Sequence, residues 1–554
     1  MSSTPYLFRG PRSTPESRAG KPPAPRTESA DGMIIERDVE VVAESGRSIQ
    51  ADIYRPDSEE PAAVLIAWSP YGKHNPAPIG VIYPDSGVLP EHIGPKTTFE
   101  APDPDYWVPH GYAIVVADIP GTWYARGPAT YCSPEEAEDF RDFIEWAGTQ
   151  PWSNGKVGLS GVSYLTVSQW RVAELNPPHL AAINPWEGWT DTYREVARHG
   201  GIPETSFWPY IWERWGASTG DIEDLERETE AHPFYDDFWD SKSAKLERVT
   251  VPAWVVGSWS DQGLHSRGTL EGFRRISSTE KWLDIHGRKK WGEYYLPENV
   301  ERQRQFFDHF LKGVDNGWRD RPRVVYELRE SSYQGATHPA DAWPIPDVRY
   351  RELFLGENGT LDESPPARPS FVDYDGRASG LREHRVVFEH TFDARTAIVG
   401  HTIAELNVSA PDAADMDIFV ALFKRGVDGE IVGFPYYAQF DDGPVAVGWL
   451  RASHRELDAE KSSSYLPVLA HRRELPLSDT APTRVTVEVL PSGTAFEPGE
   501  SLVFVVQGRD VMDYSAKVYA RHHDSVNNGR HRLHLGGADA SRLILPVLET
   551  SGPA

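Results

Sequence analysis

Residues 157–164 read VGLSGVSY. An apolar β-like run ends at Gly161-Val162-Ser163, and a helical pattern of Tyr164, Leu165, Val167, Ser168 and Trp170 begins at once. A serine at a sharp strand-to-helix turn sits on strained backbone, with its hydroxyl pushed out above a sheet and a helix N-terminus behind it that favours negative charge. A hydroxyl is a poor nucleophile near neutral pH. It needs a histidine within hydrogen-bond reach, and that histidine needs a carboxylate to fix its tautomer. Two further runs supply such groups: residues 254–261 form a strand-like run out to Asp261, and residues 282–287 a second one out to His286. The chemistry to expect is acyl transfer, with Ser163 attacking a carbonyl, His286 moving the proton and Asp261 orienting His286. Each assignment has a rival. Ser163 could be a plain helix cap, Asp261 could cap the helix that starts near His265, and Ser160 competes as nucleophile. Asp284 competes as the acid, and His265 and His74 compete as the base.

The elements that must hold these residues are legible as apolar runs at α/β spacing: Ala63–Trp68, Tyr112–Ala117, Lys156–Leu159, Leu180–Asn184, Ala253–Val256 and Lys281–Ile285. Helical patterns at Glu135–Ala147 and Tyr164–Leu175 fall between them, which predicts a parallel sheet wrapped by helices. In such sheets the working loops lie at the carboxyl ends of strands. The order Ser163, Asp261, His286 matches the chain order of α/β-hydrolase triads. We therefore expect an extended N-terminal arm over residues 1–30, which is disordered or wraps a neighbouring subunit in a homo-oligomer. An α/β-hydrolase core over 31–188 and 250–320 follows, interrupted by a helical cap over 189–249 and continued by a C-terminal β jelly roll over 321–554. The cap is dense in aromatics, and Trp189, Trp208, Trp212 and Trp215 are its candidate substrate-binding residues, since aromatic walls bury flat ligands well. An α-amino ester or X-Pro substrate would instead need a carboxylate for its ammonium group. Glu187, Asp191, Glu195 and Glu204 are the candidates.

Composition narrows the partners. The chain has 554 residues, 83 acidic against 56 basic, for a formal charge of −27, which disfavours nucleic acid and anionic membranes. A small-molecule ester or amide remains as the substrate class. The single cysteine, Cys132, excludes an internal disulfide framework and a CxxC metal site. His522-His523-Asp524 is a poor metal cluster, because adjacent side chains in a β-like segment point opposite ways. No cofactor and no metal are expected. No apolar run approaches the roughly 20 residues of a membrane span, and the N-terminus lacks the apolar region of a secretory signal, so a cytoplasmic location is the default. Activity should rise with pH through one ionisation near neutrality, because the base must be neutral.

A longer pattern is more specific. Asp139-Phe140-Arg141-Asp142-Phe143-Ile144-Glu145-Trp146, then Gln150-Pro151-Trp152-Ser153-Asn154-Gly155-Lys156-Val157-Gly158, then Gly161-Val162-Ser163-Tyr164, resembles the serine hydrolase superfamily of cocaine esterase and X-Pro dipeptidyl-peptidase. That group includes α-amino acid ester hydrolases. Ser69-Pro70-Tyr71-Gly72-Lys73 and Gly448-Trp449-Leu450-Arg451-Ala452-Ser453-His454 fit it as well. The resemblance implies the three-part architecture, the triad above, and an oxyanion hole made by the Tyr71 hydroxyl and the Tyr164 backbone N–H. There are departures. Leu165 replaces the last glycine of the elbow, Asp118-Ile119-Pro120-Gly121 replaces an Asp-x-Arg-Gly segment, and the His286 loop is less apolar than usual. The expected activity is that of a carboxylesterase. The alternatives are an α-amino acid ester hydrolase, an X-Pro dipeptidyl-peptidase, and a carbohydrate- or protein-binding module carried by the jelly roll.

Overall fold

The computed structural model of the protein describes residues 6–75, 79–377, 384–478, 481–514 and 519–549. The centre of its catalytic-side sheet is made by β1 (Met33–Val42), β2 (Ser48–Pro56), β3 (Ala62–Ser69), β4 (Tyr112–Asp118), β5 (Ser153–Val162), β6 (Leu180–Trp186), β7 (Ala253–Ser258) and β8 (Lys281–His286). They lie in the order β1-β2-β4-β3-β5-β6-β7-β8. The β1–β2 hairpin and the β2–β4 pair are antiparallel, and every pair from β4 to β8 is parallel. All residues of β3 and β4 are buried, as expected of strands covered on both faces.

The principal helices are α1 (Pro134–Gly148), α2 (Tyr164–Ala173), α3 (Phe207–Arg214), α4 (Leu225–Ala231), α5 (Asp237–Ser241), α6 (Ser266–Arg275), α7 (Lys290–Tyr294) and α8 (Pro297–Lys312). The start of α1 is written in its residues. Ser133 accepts the Glu136 N–H, proline occupies the first turn, and Glu135 and Glu136 place acid at the positive end. No helix is long and apolar enough to cross a membrane among the described residues.

Helices α3 to α5 form the insertion over the sheet, together with a short π-helical turn at Tyr193–Ala197. The described part of the N-terminal arm does not leave the chain. Phe8–Arg9 pairs antiparallel with Ile222–Glu223, Tyr6 donates to Glu135, and Arg12 forms ion pairs with Glu213 and Glu226. It therefore packs on its own chain, along the cap at its start and against β1 at the edge of the core sheet over Arg26–Ala30.

After α8 the chain is mostly strands. Val324–Ser331 still extends the core sheet, parallel to β8, and also meets Thr483–Phe496 at Arg329 and Thr494. Beyond it two antiparallel sheets face each other. One holds Val348–Leu355, Arg542–Leu548, Thr396–Ser409 and Thr483–Phe496, and the other holds Arg385–Thr391, Ser501–Gln507, Asp417–Arg425 and Ala446–Arg451. Phe388, Leu406, Ile418, Phe496, Phe504 and Leu545 fill the space between them.

Candidate active site

Ser163 stands between β5 and α2 with φ 61° and ψ −116°, a backbone region that costs a non-glycine residue free energy and persists only where its surroundings enforce it. Three contacts enforce it here. The Ser163 N–H donates to the carbonyls of Trp186 (3.2 Å) and Glu187 (3.0 Å), at the end of the neighbouring β6. Gly161, at φ 140°, leaves room for the turn. A Cβ there would lie 2.4 Å from Leu165 Cδ2, so Leu165 fits at the position of the missing glycine only because residue 161 has no side chain. The buried Glu136 carboxylate accepts from Trp68 Nε1 (3.0 Å), the Cys132 N–H (2.7 Å) and the Tyr164 hydroxyl (2.7 Å), which ties β3, α1 and α2 together beneath the elbow. Ser160 points into the core instead, 3.0 Å from the Tyr294 hydroxyl.

The histidine at Ser163 is His265, not the expected His286. His265 Nε2 lies 3.2 Å from Ser163 Oγ, and its Nδ1 hydrogen-bonds Asp261 Oδ2. Asp261 and His265 are four residues apart in the turn that enters α6, with the His265 N–H donating to the Asp261 carbonyl, so both side chains fall on one face. His286 is still inside β8, in register with Ser258 of β7. It makes no hydrogen bond to Ser163. Its Nε2 lies 3.1 Å from Glu187 Oε1, without the alignment of a hydrogen bond. The other rivals are engaged elsewhere: His74 is 3.1 Å from Asp38, and Asp284 forms an ion pair with Arg321.

A lysine completes the group. Lys290 Nζ, at the start of α7, lies 2.7 Å from Asp261 Oδ2 and 3.2 Å from His265 Nδ1. Asp261 is held well below the usual carboxylate range: burial pushes it up, but the Lys290 and His265 charges outweigh that. Burial pushes His265 down to about 4, and Lys290 adds to the effect against the opposing pull of Asp261. Glu187, buried with no hydrogen bond on either oxygen, is raised to about 7 by its burial. Trp189 stacks on the His265 ring at 5.8 Å and 1° between planes, which limits the imidazole's rotation.

Sequence reasoning placed Ser163 and Asp261 at the site, held His265 only as a rival base, and missed Lys290 and Glu100. The Tyr71 hydroxyl faces Ser163 and Glu100, and burial raises it well above its ordinary value. Tyr164 opens α2, so its N–H is one of the donors that a helix start leaves without an intrahelical partner. The pocket above Ser163 has walls of Tyr71, Tyr83, Phe99, Phe207, Trp291 and Tyr437, together with Glu100, Tyr210, Arg214 and Lys290. None of the four expected tryptophans lines it. Trp208 donates to Thr229, Trp215 packs edge-on against Tyr164, Trp212 lies under Arg12 and Trp189 backs His265. A helical period would have separated them: Phe207, Tyr210, Ile211 and Arg214 share one face of α3, and Trp208 and Trp212 lie on another.

Three of the four candidate ammonium anchors are occupied, and Glu187 is the exception. Asp191 pairs with Arg194, Glu195 pairs with Arg267, and Glu204 accepts three backbone N–H groups at the start of α3. Glu187, Asp261 and His265 have ligand atoms within 4.8 Å of one another and could in principle hold a cation. The Lys290 ammonium already supplies the positive charge on Asp261. The C-terminal domain braces the same turn: Gln262 donates to the Val445 carbonyl at 3.0 Å and accepts the Val447 N–H at 2.8 Å, and the Tyr437 N–H donates to the Ser260 carbonyl.

Hydroxyl, imidazole and carboxylate in series at a strained turn can activate an oxygen nucleophile. Comparison with known proteins agrees with hydrolase chemistry. Residues 45–289 match the model of the X-Pro dipeptidyl-peptidase (S15) family, and residues 316–544 match that of the X-Pro dipeptidyl-peptidase C-terminal non-catalytic domain. Cocaine esterase of Rhodococcus sp. (strain MB1 Bresler) is 24% identical over 93% of this chain and 99% of its own length. An Xaa-Pro dipeptidyl-peptidase of Lacticaseibacillus casei (strain BL23) is 25% identical, over 43% of this chain and 36% of its own. The crystal structure of a CocE/NonD family hydrolase from Staphylococcus aureus superposes with a TM-score of 0.89 at 42% identity, covering 93% of this chain and 94% of that one. With the elbow, the sheet order and this likeness together, the chain belongs to the CocE/NonD family of hydrolases.

Proposed function

We propose that the protein is a serine carboxylesterase in which Ser163 is the nucleophile, His265 the general base and acid, and Asp261 the residue that orients His265. The observation that carries this reading is the unbroken chain from Ser163 Oγ through both ring nitrogens of His265 to Asp261. Ser163 Oγ attacks the ester carbonyl carbon while its proton passes to His265 Nε2. The developing oxyanion is met by the Tyr71 hydroxyl and the Tyr164 N–H, each worth about 3–4 kcal/mol in such a role. His265 then gives the proton to the departing alkoxide. Water attacks the acyl-enzyme with the same base and frees the acid. No step needs a metal or an organic cofactor.

The choice of ester over X-Pro peptide is supported by Asp191, Glu195 and Glu204, which are paired or capped and so are not free to meet a substrate ammonium; Glu187 and Glu100 Oε2, buried without a hydrogen bond, are the carboxylate oxygens left for an X-Pro substrate. The match to the S15 family model favours X-Pro dipeptidyl-peptidase activity as the second reading. Labelling with a fluorophosphonate and mapping by mass spectrometry should place the adduct on Ser163. An aryl ester should then show a higher kcat/KM than a Xaa-Pro anilide. Label on Ser160, or an anilide preference, would overturn the assignment.

A further inference from the structure

Arg214 is a cation of the Ser163 pocket that the reaction above does not use. It ends α3, and its guanidinium lies over the rings of Phe99 (4.6 Å to the centroid) and Tyr71 (5.4 Å). Nη2 is buried without a hydrogen-bond partner, and Arg214 forms no ion pair among the described residues. The neighbouring cations differ: Lys290 holds Asp261, Arg267 holds Glu195 and Glu488, and Arg194 holds Asp191. The acid that lines the pocket is Glu100; it accepts from Trp291 Nε1 at 2.8 Å, forms no ion pair with Arg214, and is raised to about 7 by its burial. A half-buried cation whose Nη2 is buried and unpartnered at a pocket wall is costly unless a ligand supplies the anion. A guanidinium fork matches a carboxylate in two parallel hydrogen bonds. The hydroxyls of Tyr83 and Tyr210, 3.4 Å apart, add donors in the same pocket.

We propose that Arg214 binds a carboxylate on the acyl part of the substrate, so that the enzyme favours half-esters of dicarboxylic acids over neutral esters. This rests on the Ser163 hydrolase reading. The acyl side follows from the proton path: the leaving group must face His265, whereas Arg214 packs on Tyr71 and Phe99.

The test compares mono-4-nitrophenyl adipate with 4-nitrophenyl hexanoate, equal in chain length and leaving group. The wild-type enzyme should show a kcat/KM ratio of about 10 to 100 in favour of the adipate, the range of a hydrogen-bonded charge pair. Arg214→Met should bring the ratio to one or below, and Arg214→Lys should fall between. The ratio is internal to each protein, so a general loss of activity or folded fraction cancels. A wild-type ratio near one, a ratio unchanged in Arg214→Met, or a stronger preference for an α-amino ester would overturn the proposal while leaving the esterase reading intact. If neither ester shows turnover that is lost in Ser163→Ala, the esterase reading fails and the proposal falls with it.

Discussion

At the scale of residues, the site depends on which histidine meets Ser163. His265→Ala should lower kcat by about 10⁴–10⁶, as removal of a triad base does, whereas His286→Gln should stay within about tenfold of wild type. Steady-state kinetics on one aryl ester separates the two, and a larger loss in the His286 variant would reverse the assignment. The pH profile reads the same geometry. His265 faces Asp261 and Lys290, with Glu187 close by and Trp189 stacked on its ring. Its depressed value keeps it neutral, and so able to accept a proton, well below pH 6.5. The acid limb of kcat/KM should therefore lie below the ordinary histidine range, lower than a solvent-exposed base would give. Lys290→Met removes the cation that disfavours imidazolium while leaving Asp261 in place. The limb should move upward, with a fall in kcat because Asp261 has lost a donor. A limb that stays put in this variant would show that Lys290 does not act on His265.

At the scale of elements, the elbow is a packing solution between β5 and α2. Gly161→Ala would set a Cβ against Leu165 and 2.9 Å from the Glu100 carbonyl, on backbone with φ 140°. Stability should fall by about 1–3 kcal/mol and ester turnover should fall with it. Leu165→Gly empties a buried site in α2 and is itself destabilising, but it relieves the side-chain clash, so the double variant should lose less than the sum of the two single losses. Denaturant titration of the two single variants and the double variant measures the coupling between the two sites. Strictly additive losses would mean that Leu165 does not fill the space Gly161 leaves. The same element shows what local pattern reading could reach. The strand, the serine and the helix were all readable, because apolar periodicity changes from strand-like to helical at one point in the sequence. Asp261 was readable for the same reason, as an acid just beyond a strand.

At the scale of the whole molecule, the core and the C-terminal sheets share a buried joint. Arg329 on Val324–Ser331 donates to Ser492 Oγ (2.8 Å), Thr494 Oγ1 (3.3 Å) and the Val445 carbonyl (3.2 Å), and covers the Phe434 ring. Arg329→Ala removes a buried donor to all three acceptors and opens a cavity over Phe434, which should cost about 2–4 kcal/mol of stability. A melting curve like that of wild type would contradict this. Val445 also holds Gln262, so the variant should weaken the Asp261–His265 turn and lower kcat at temperatures well below the melting transition. The amino-acid sequence by itself determined the strands of the core, the elbow serine, the acid and the mostly stranded C-terminal half, because each rests on a local period or on a turn between two periods. The tertiary structure alone decided which histidine meets Ser163 and which side chains line its pocket. His265 and His286 both lie near strand ends, and only the β7–β8 register and the side-chain directions show that one reaches Ser163 and the other turns to Glu187. Likewise, the cap's aromatics carry no mark of their destination in composition. Once α3 is docked, its rotation buries Trp208 in the cap and turns Phe207, Tyr210 and Arg214 toward the serine.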